Sequence, residues 1–307
     1  MDNLFIAFTN SLTALAICMA LGYICRKTNL ITDAHTPGMT NLLVRVATPC
    51  TVFMALMRPF SRTLLLESIA TIGITSTIFV LGGFLGLAVT KIMKATPGER
   101  QSWQFGVAYG NVGFMGIPVV TAVFGHEGLI YVAMALASFN VLTFTVGIRM
   151  FDNAPKDFSF KNLLLRNPAI PAVFIGFIFF ITGFRLPYAV EGGITLIGGI
   201  TTPMSMILLG VILARQSLKK AFTDARLLLP LAAKLIVMPL VSLGALYFII
   251  PNPLMLNVIV ILMAMPPAAV TAIFAEQHNA DAFTAAKFVV VGTILCAITV
   301  PIFSLLL

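Results

Sequence analysis

Apolar runs of about 18 residues or more recur from one end of this chain to the other, each long enough to cross the hydrocarbon core of a bilayer as a helix. Only short, turn-rich connections separate them, so the 307 residues leave no room for a separate water-soluble domain. Hydrophobic residues make up 59% of the chain and charged residues 10%, against about 25% charged in an ordinary soluble domain. Inside a bilayer each backbone amide needs an internal partner, and for apolar runs of this length that means helices. The chain is thus expected to be an all-α, multi-pass membrane protein with the lipid bilayer as its first partner. Its net charge of +8 resides mainly at span ends, where membrane topology explains it, and no nucleic-acid partner is expected. Cys18, Cys25, Cys50 and Cys296 lie in or beside apolar spans, with neither a disulfide framework nor a Cys/His metal site in prospect.

Turn and charge signals divide the chain into ten spans, at roughly 4–25, 39–57, 64–90, 103–125, 128–149, 162–183, 190–214, 227–250, 254–277 and 282–306. The first run lacks a basic leader and stays apolar too long for a signal peptide, so it reads as the first span. Orientation follows from the basic residues. The odd-numbered connections carry thirteen: Arg26, Lys27, Lys91, Lys94, Arg100, Arg149, Lys156, Lys161, Arg166, Arg215, Lys219, Lys220 and Arg226. The even ones carry Arg58, Arg62 and Arg185. That asymmetry puts the odd connections in the cytoplasm and both termini outside a cell membrane.

Two of these spans are interrupted. The stretch N-V-G-F-M-G-I-P-V-V-T-A-V-F, Asn111 to Phe124, places Gly and Pro inside an apolar run, and A-M-P-P-A-A-V-T-A-I-F, Ala264 to Phe274, does so with paired prolines. A continuous helix avoids both, and membrane-embedded backbone unwinds only where protein or a cavity receives it. These are the fourth and ninth spans. With five spans per half, a homologous second half sits inverted relative to the first, giving repeats at 1–150 and 162–307 joined by a short cytoplasmic linker, 151–161. V-T-A-V-F at Val120 and V-T-A-I-F at Val270 are 150 positions apart, and V-A-T-P-C-T around Thr48 echoes I-T-T-P-M-S around Thr202.

Pro118 and Pro267 suit the first turn of a resumed half-helix, where the missing amide hydrogen costs nothing. The two resumed halves would start near mid-membrane with free amides and positive dipole ends directed at one point, an anion site. Asn111 and Asn140 fall near mid-depth by helical rise and are candidates to orient a carboxylate or coordinate a cation, with interhelical hydrogen bonding the simpler use of Asn140. Lys234 lies about 12 Å into its span, placed either to snorkel to the cytoplasmic face or to hold negative charge. Lys287 is shallower and reads as snorkelling. None of the eleven acidic residues falls near a span centre, which favours an anionic substrate over a cation. Glu276 and Gln277 close the ninth span and are candidates for a coupling ion. His35, His126 and His278 all sit at loops or span ends, no hydrolase constellation exists, and an enzyme is not expected.

The element N-V-G-F-M-G-I-P resembles the N-x-x-x-M-G-I-P element of the auxin efflux carrier family, which includes the plant PIN exporters and bacterial malate or malonate permease-like proteins. R-N-P-A-I-P-A-V-F-I-G from Arg166, P-x-x-x-F from Pro49 to Phe53 and the stretch from Ala264 to Asp281 extend the likeness over nearly the whole chain. The resemblance implies ten helices as two inverted five-helix repeats with crossed helices 4 and 9, the fold shared with bile-acid symporters. It also implies a scaffold from helices 1, 2, 6 and 7, a transport domain from helices 3–5 and 8–10, elevator-type alternating access and a homodimer. Carried over residue by residue, substrate contact falls to Asn111, Gly116, Ile117 and Pro118, and to Met265, Pro266 and Pro267, with Thr48 and Phe53 lining the scaffold side. The connection near 151–161 is far shorter than the regulatory loop of plant members, which points to a bacterial-type protein of the inner membrane. Pro266 and Pro267 stand together where plant members have one Pro and a polar residue.

The expected function is secondary transport of a small organic anion, with mono- or dicarboxylates such as malate or malonate ahead of auxin-like aromatic acids. No cofactor is expected beyond coupling Na⁺ or H⁺. A sodium-coupled symporter of bile-acid-like anions is the alternative among carriers; a channel or a non-transporting sensor is the alternative of another class.

Overall fold

The computed structural model describes residues 2–151, 168–215 and 224–307, and within these not the side chains of 2–12, 276, 277 and 305. The expected linker from 152 on, the start of the sixth expected span, and Lys219 and Lys220 lie outside the described residues. Regular structure among those described is helical throughout. In chain order the helices are α1 (Asp2–Lys27), α2 (Thr36–Leu42), α3 (Thr48–Leu56), α4 (Arg62–Ile92), α5 (Pro97–Ala108), α6 (Ile117–Phe124), α7 (Leu129–Leu142) and α8 (Ala169–Thr182). There follow α9 (Tyr188–Gly199), α10 (Thr201–Arg215), α11 (Leu228–Ala232), α12 (Met238–Leu246), α13 (Pro253–Ala264), α14 (Val270–Gln277) and α15 (Ala282–Leu306). Among the described residues, six helical stretches are long and apolar enough to cross a membrane: Thr36–Leu56, Arg62–Ile92, Val112–Met150, Tyr188–Arg215, Ala225–Leu246 and Ala282–Ser304. The chain is a multi-pass, all-helical membrane protein.

Helix starts follow local chemistry. Thr96 accepts from the Glu99 amide while the Glu99 carboxylate accepts from the Thr96 amide at 2.9 Å, a capping box with Pro97 in the first turn of α5. Asn252 caps α13 ahead of Pro253, and Asp281 caps α15 by accepting from the Thr284 amide at 2.9 Å.

Prolines inside spans produce a second recurring feature. The π-helical turns Leu43–Ala47, Val112–Gly116 and Ala233–Val237 each end two residues before a proline, at Pro49, Pro118 and Pro239. A proline ring clashes with the carbonyl four residues back and donates nothing to it. Widening the preceding turn moves that carbonyl aside without unwinding the helix.

The chain divides into two compact units. The first comprises residues 1–73, 113–140 and 159–215. Here α1 packs along α10 so closely that a Cβ on Gly22 would stand 2.0 Å from the Ile207 carbonyl oxygen, and one on Gly210 1.9 Å from that of Met19. The Thr51 hydroxyl on α3 lies 2.9 Å from the Gly198 carbonyl oxygen and 2.8 Å from the Thr201 hydroxyl, tying α3 to the junction of α9 and α10. Asp33 accepts from Arg26 at 2.5 Å and Arg215 at 2.9 Å.

The second unit comprises residues 74–112, 141–158 and 216–307. It holds α5, α11 to α15 and most of α4. Its core includes a cluster of Phe105, Tyr109, Phe151 and Phe274 rings with centroids 4.8 to 6.2 Å apart. Two ion pairs lie at the starts of its helices: Arg226 with Glu99 at 3.0 Å, and Lys287 with Asp224.

Candidate functional site

Within the second unit, both expected interruptions are present and they meet. Helix α5 stops at Ala108, Tyr109 is extended (φ −110°, ψ 108°), and helical structure resumes at Val112. Helix α13 stops at Ala264, Met265 is extended (φ −61°, ψ 145°), and α14 begins at Val270. The second break has a plain cause. A residue before proline is driven out of the helical region, so Pro266 forces Met265 extended and Pro267 does the same to Pro266. Neither proline has an amide hydrogen to give.

The backbone polar groups released by one break are received by the other. Gly110 and Pro267 pair antiparallel; the Asn111 amide donates to the Pro266 carbonyl at 2.8 Å, and the Ala268 amide donates to the Tyr109 carbonyl at 3.0 Å. An unwound segment inside a membrane needs such partners. The Pro267 ring is seated between two helices: a Cβ on Gly106 would be 3.2 Å from its Cβ, and one on Gly292 2.6 Å from its Cδ. Tyr109 is anchored by its ring against Phe79 and Phe105 and by its hydroxyl, which donates to the Leu142 carbonyl at 3.2 Å.

Charge at this junction is set by two sources. The C-terminal ends of α5 and α13 bring carbonyl dipoles, and the resumed helices bring amide ends, so both partial charges of the helix macrodipole converge here. An amine able to carry a full positive charge is added by Lys234. It sits in the π turn Ala233–Val237, is 0% exposed, and its Nζ has no hydrogen-bond partner among the described residues. A Cβ placed on Gly110 would stand 3.0 Å from that Nζ and 3.3 Å from each of the Leu262 and Met265 carbonyl oxygens. The amine thus reaches the pairing point itself. The Thr271 hydroxyl, in the first turn of α14, is likewise fully buried and unpartnered among the described residues.

Of the residues singled out in the sequence, Asn111, Met265, Pro266, Pro267 and Lys234 come together in this unit. Asn111 is buried, and its backbone is part of the pairing. Gly116, Ile117, Pro118, Asn140, Thr48 and Phe53 belong to the first unit. There Thr48 opens α3, the Phe53 ring meets Phe179 edge-on at 5.3 Å, and Asn140 is buried near the end of α7. Glu276 and Gln277 close α14, and their side chains lie outside the described residues.

Two expectations are corrected. Pro118 does not begin the resumed half-helix: helical structure restarts at Val112, and Pro118 lies beyond the widened turn that accommodates it. Pro267 does not begin one either; it is in the extended pairing, with the helix restarting at Val270. Of the two readings of Lys234, snorkelling is set aside, because its amine is enclosed at the break, while Lys287 pairs with Asp224. Sequence reasoning passed over Thr271, and took Gly110 only as one of four glycines, with Gly106, Gly113 and Gly116, that let helices pack closely or backbone approach a ligand. Gly110 immediately precedes the recognised motif, and Thr271 is the only hydroxyl in V-T-A-I-F.

A family profile described as "Membrane transport protein" matches residues 7–162 and 157–304. The chain belongs to the auxin efflux carrier family of membrane transport proteins. As a member of that family it is a membrane transporter, and the paired breaks lie in its matched region. Relatives over nearly the full length include an "Uncharacterized transporter" of Methanothermobacter thermautotrophicus, 24% identical over 99% of this chain and 100% of the relative. One of the same description from Methanocaldococcus jannaschii is 22% identical over 95% of this chain and 96% of the relative. A Rhizobium meliloti protein named "Putative malonate transporter" is 24% identical over 85% of this chain and 84% of its own length.

Proposed function

We propose that this transporter is a secondary carrier of small organic anions, mono- or dicarboxylates, which dock where the two broken helices pair. One observation carries the reading: a fully buried, unpartnered lysine amine at a point where two membrane helices have surrendered their own hydrogen bonding to each other. Positive charge and helix amide ends favour a carboxylate over a cation. Backbone unwound at mid-span is the usual sign of a substrate site in carriers built from inverted repeats. The name of the Rhizobium relative makes malonate the first anion to try.

On this reading the ten spans form two inverted halves, odd connections face the cytoplasm, and the paired breaks alternate in access between the two sides. The Gly110–Pro267 pair joins the breaks of the fourth and ninth spans, the equivalent positions of the two halves on this reading. Asn111 serves to orient the substrate carboxylate through its side-chain amide.

Purified protein in liposomes tests this with labelled malonate, malate and acetate. Saturable uptake that shows counterflow is expected for at least one of them, and Asn111→Ala should lower its initial rate by about tenfold or more, the loss of a hydrogen bond to a charged group. Uptake of none of the three, or identical behaviour of wild type and Asn111→Ala, contradicts the proposal.

A further inference from the structure

Among the described residues of the second unit, Lys234 is a buried group able to carry charge that packing alone leaves unaccounted for. Its turn is packed against α5, α11, α12, α13 and α15. Helices α11, α12 and α13 contain no ionisable side chain. Helix α5 has Glu99 and Arg100 in its first turn, and Glu99 is held by Arg226. Helix α15 has Lys287, taken by Asp224, and the Cys296 thiol, which lies within electrostatic reach of Lys234. The remaining titratable group at the break is the Tyr109 phenol, which donates to Leu142. Among the described residues no carboxylate is set against the amine.

An ammonium removed from water with no counter-charge is strongly disfavoured, and the charged form becomes favourable once an anion faces it. The position of this amine makes that anion a substrate. Its nitrogen is at the paired breaks beside Gly110, in the low-dielectric interior where one charge pair outweighs any surface interaction.

We infer that Lys234 couples carboxylate transport to protons: the amine gains one proton as the anion docks against it, and loses it when the anion leaves. The proton comes from the aqueous side to which the site is open, forms an N–H bond on Nζ, and is released to water on the opposite side. A monocarboxylate then crosses with no net charge moved and a dicarboxylate with one negative charge, no other bond being made or broken. This rests on the proposed function, since it takes a carboxylate to be the cargo.

Titration calorimetry on the full-length protein in detergent, in buffers of different ionisation enthalpy, counts the protons directly. Malonate, malate and acetate are the probes, with each anion's own ionisation subtracted. At a pH where the empty site holds a neutral amine, wild type should take up close to one proton per bound anion, and its affinity should there weaken by about tenfold per pH unit, as one linked proton requires. Lys234→Met and Lys234→Gln replace the buried amine with neutral groups of similar length. Both should melt no lower than wild type, bind at least about 100-fold more weakly and show no proton uptake. Binding by wild type without proton uptake overturns the coupling and leaves the carrier reading intact. Undiminished proton uptake in either variant overturns the coupling as well, because another group must then hold the proton. Failure of wild type to bind any of the three anions removes the proposed function and this inference together.

Discussion

At the scale of single residues, the site depends on one missing side chain. Gly110 is hemmed by Lys234 Nζ and by two backbone carbonyls, which a methyl group would have to displace by a few tenths of an ångström. Gly110→Ala should therefore push apart the paired breaks, costing about 1–3 kcal/mol as overpacking does, and should weaken malonate binding more than an alanine at exposed Gly244. Thermal melting with and without malonate measures both effects. Asp224 offers a test at the membrane surface. The hydrogen bond from Lys287 holds its carboxyl below the ordinary aspartate range, with burial opposing and Lys287 and Arg226 assisting. A carboxyl held low in the folded state stabilises at higher pH and loses that contribution as pH falls through the folded value. Asp224→Asn should accordingly melt below wild type at neutral pH, and the gap should close on acidification to below about pH 4.

What could be read at this scale was residue type and depth, not direction. The helical rise put Lys234 well inside its span, but a long flexible stem can turn either toward water or toward a break, and only the packing of five helices around it decides. The same holds for Lys287, whose partner Asp224 is distant in sequence and close in space.

At the scale of elements, the breaks were legible because proline and glycine inside an apolar run have few other uses. Their positions were not. In the fourth span the signal is spread over Gly110, Gly113, Gly116 and Pro118, and any of these could open the helix. The chain opens at the point where Tyr109 and Asn111 find carbonyl and amide partners on the other break, a long-range choice invisible to a local pattern. At Pro118 the same chain takes the milder course of widening one turn. Helix pairing in the first unit makes an equally specific demand. With no room for a Cβ at Gly22 or Gly210, α1 and α10 touch backbone to backbone, as small residues permit in membranes. Gly22→Ala and Gly210→Ala should each destabilise by at least about 1–3 kcal/mol, and the double variant should fall short of the sum, because either methyl alone already separates the helices. Melting temperatures of the three variants in one detergent check this.

For the whole molecule, composition alone was sufficient for class: a chain with 59% hydrophobic residues has no soluble alternative. Membership of a family of membrane transport proteins agrees with that class and narrows the activity to moving a solute. The further step, from transporter to organic-anion carrier, comes from a site with a buried lysine amine and paired, unwound backbone, and not from overall architecture. That step stands or falls on where the anion sits. A cryo-electron microscopy map of the protein saturated with malonate tests it most directly. The account predicts a carboxylate oxygen about 3 Å from Lys234 Nζ, beside the Gly110–Pro267 pair. Malonate bound elsewhere, with the lysine amine still unpartnered, would contradict it.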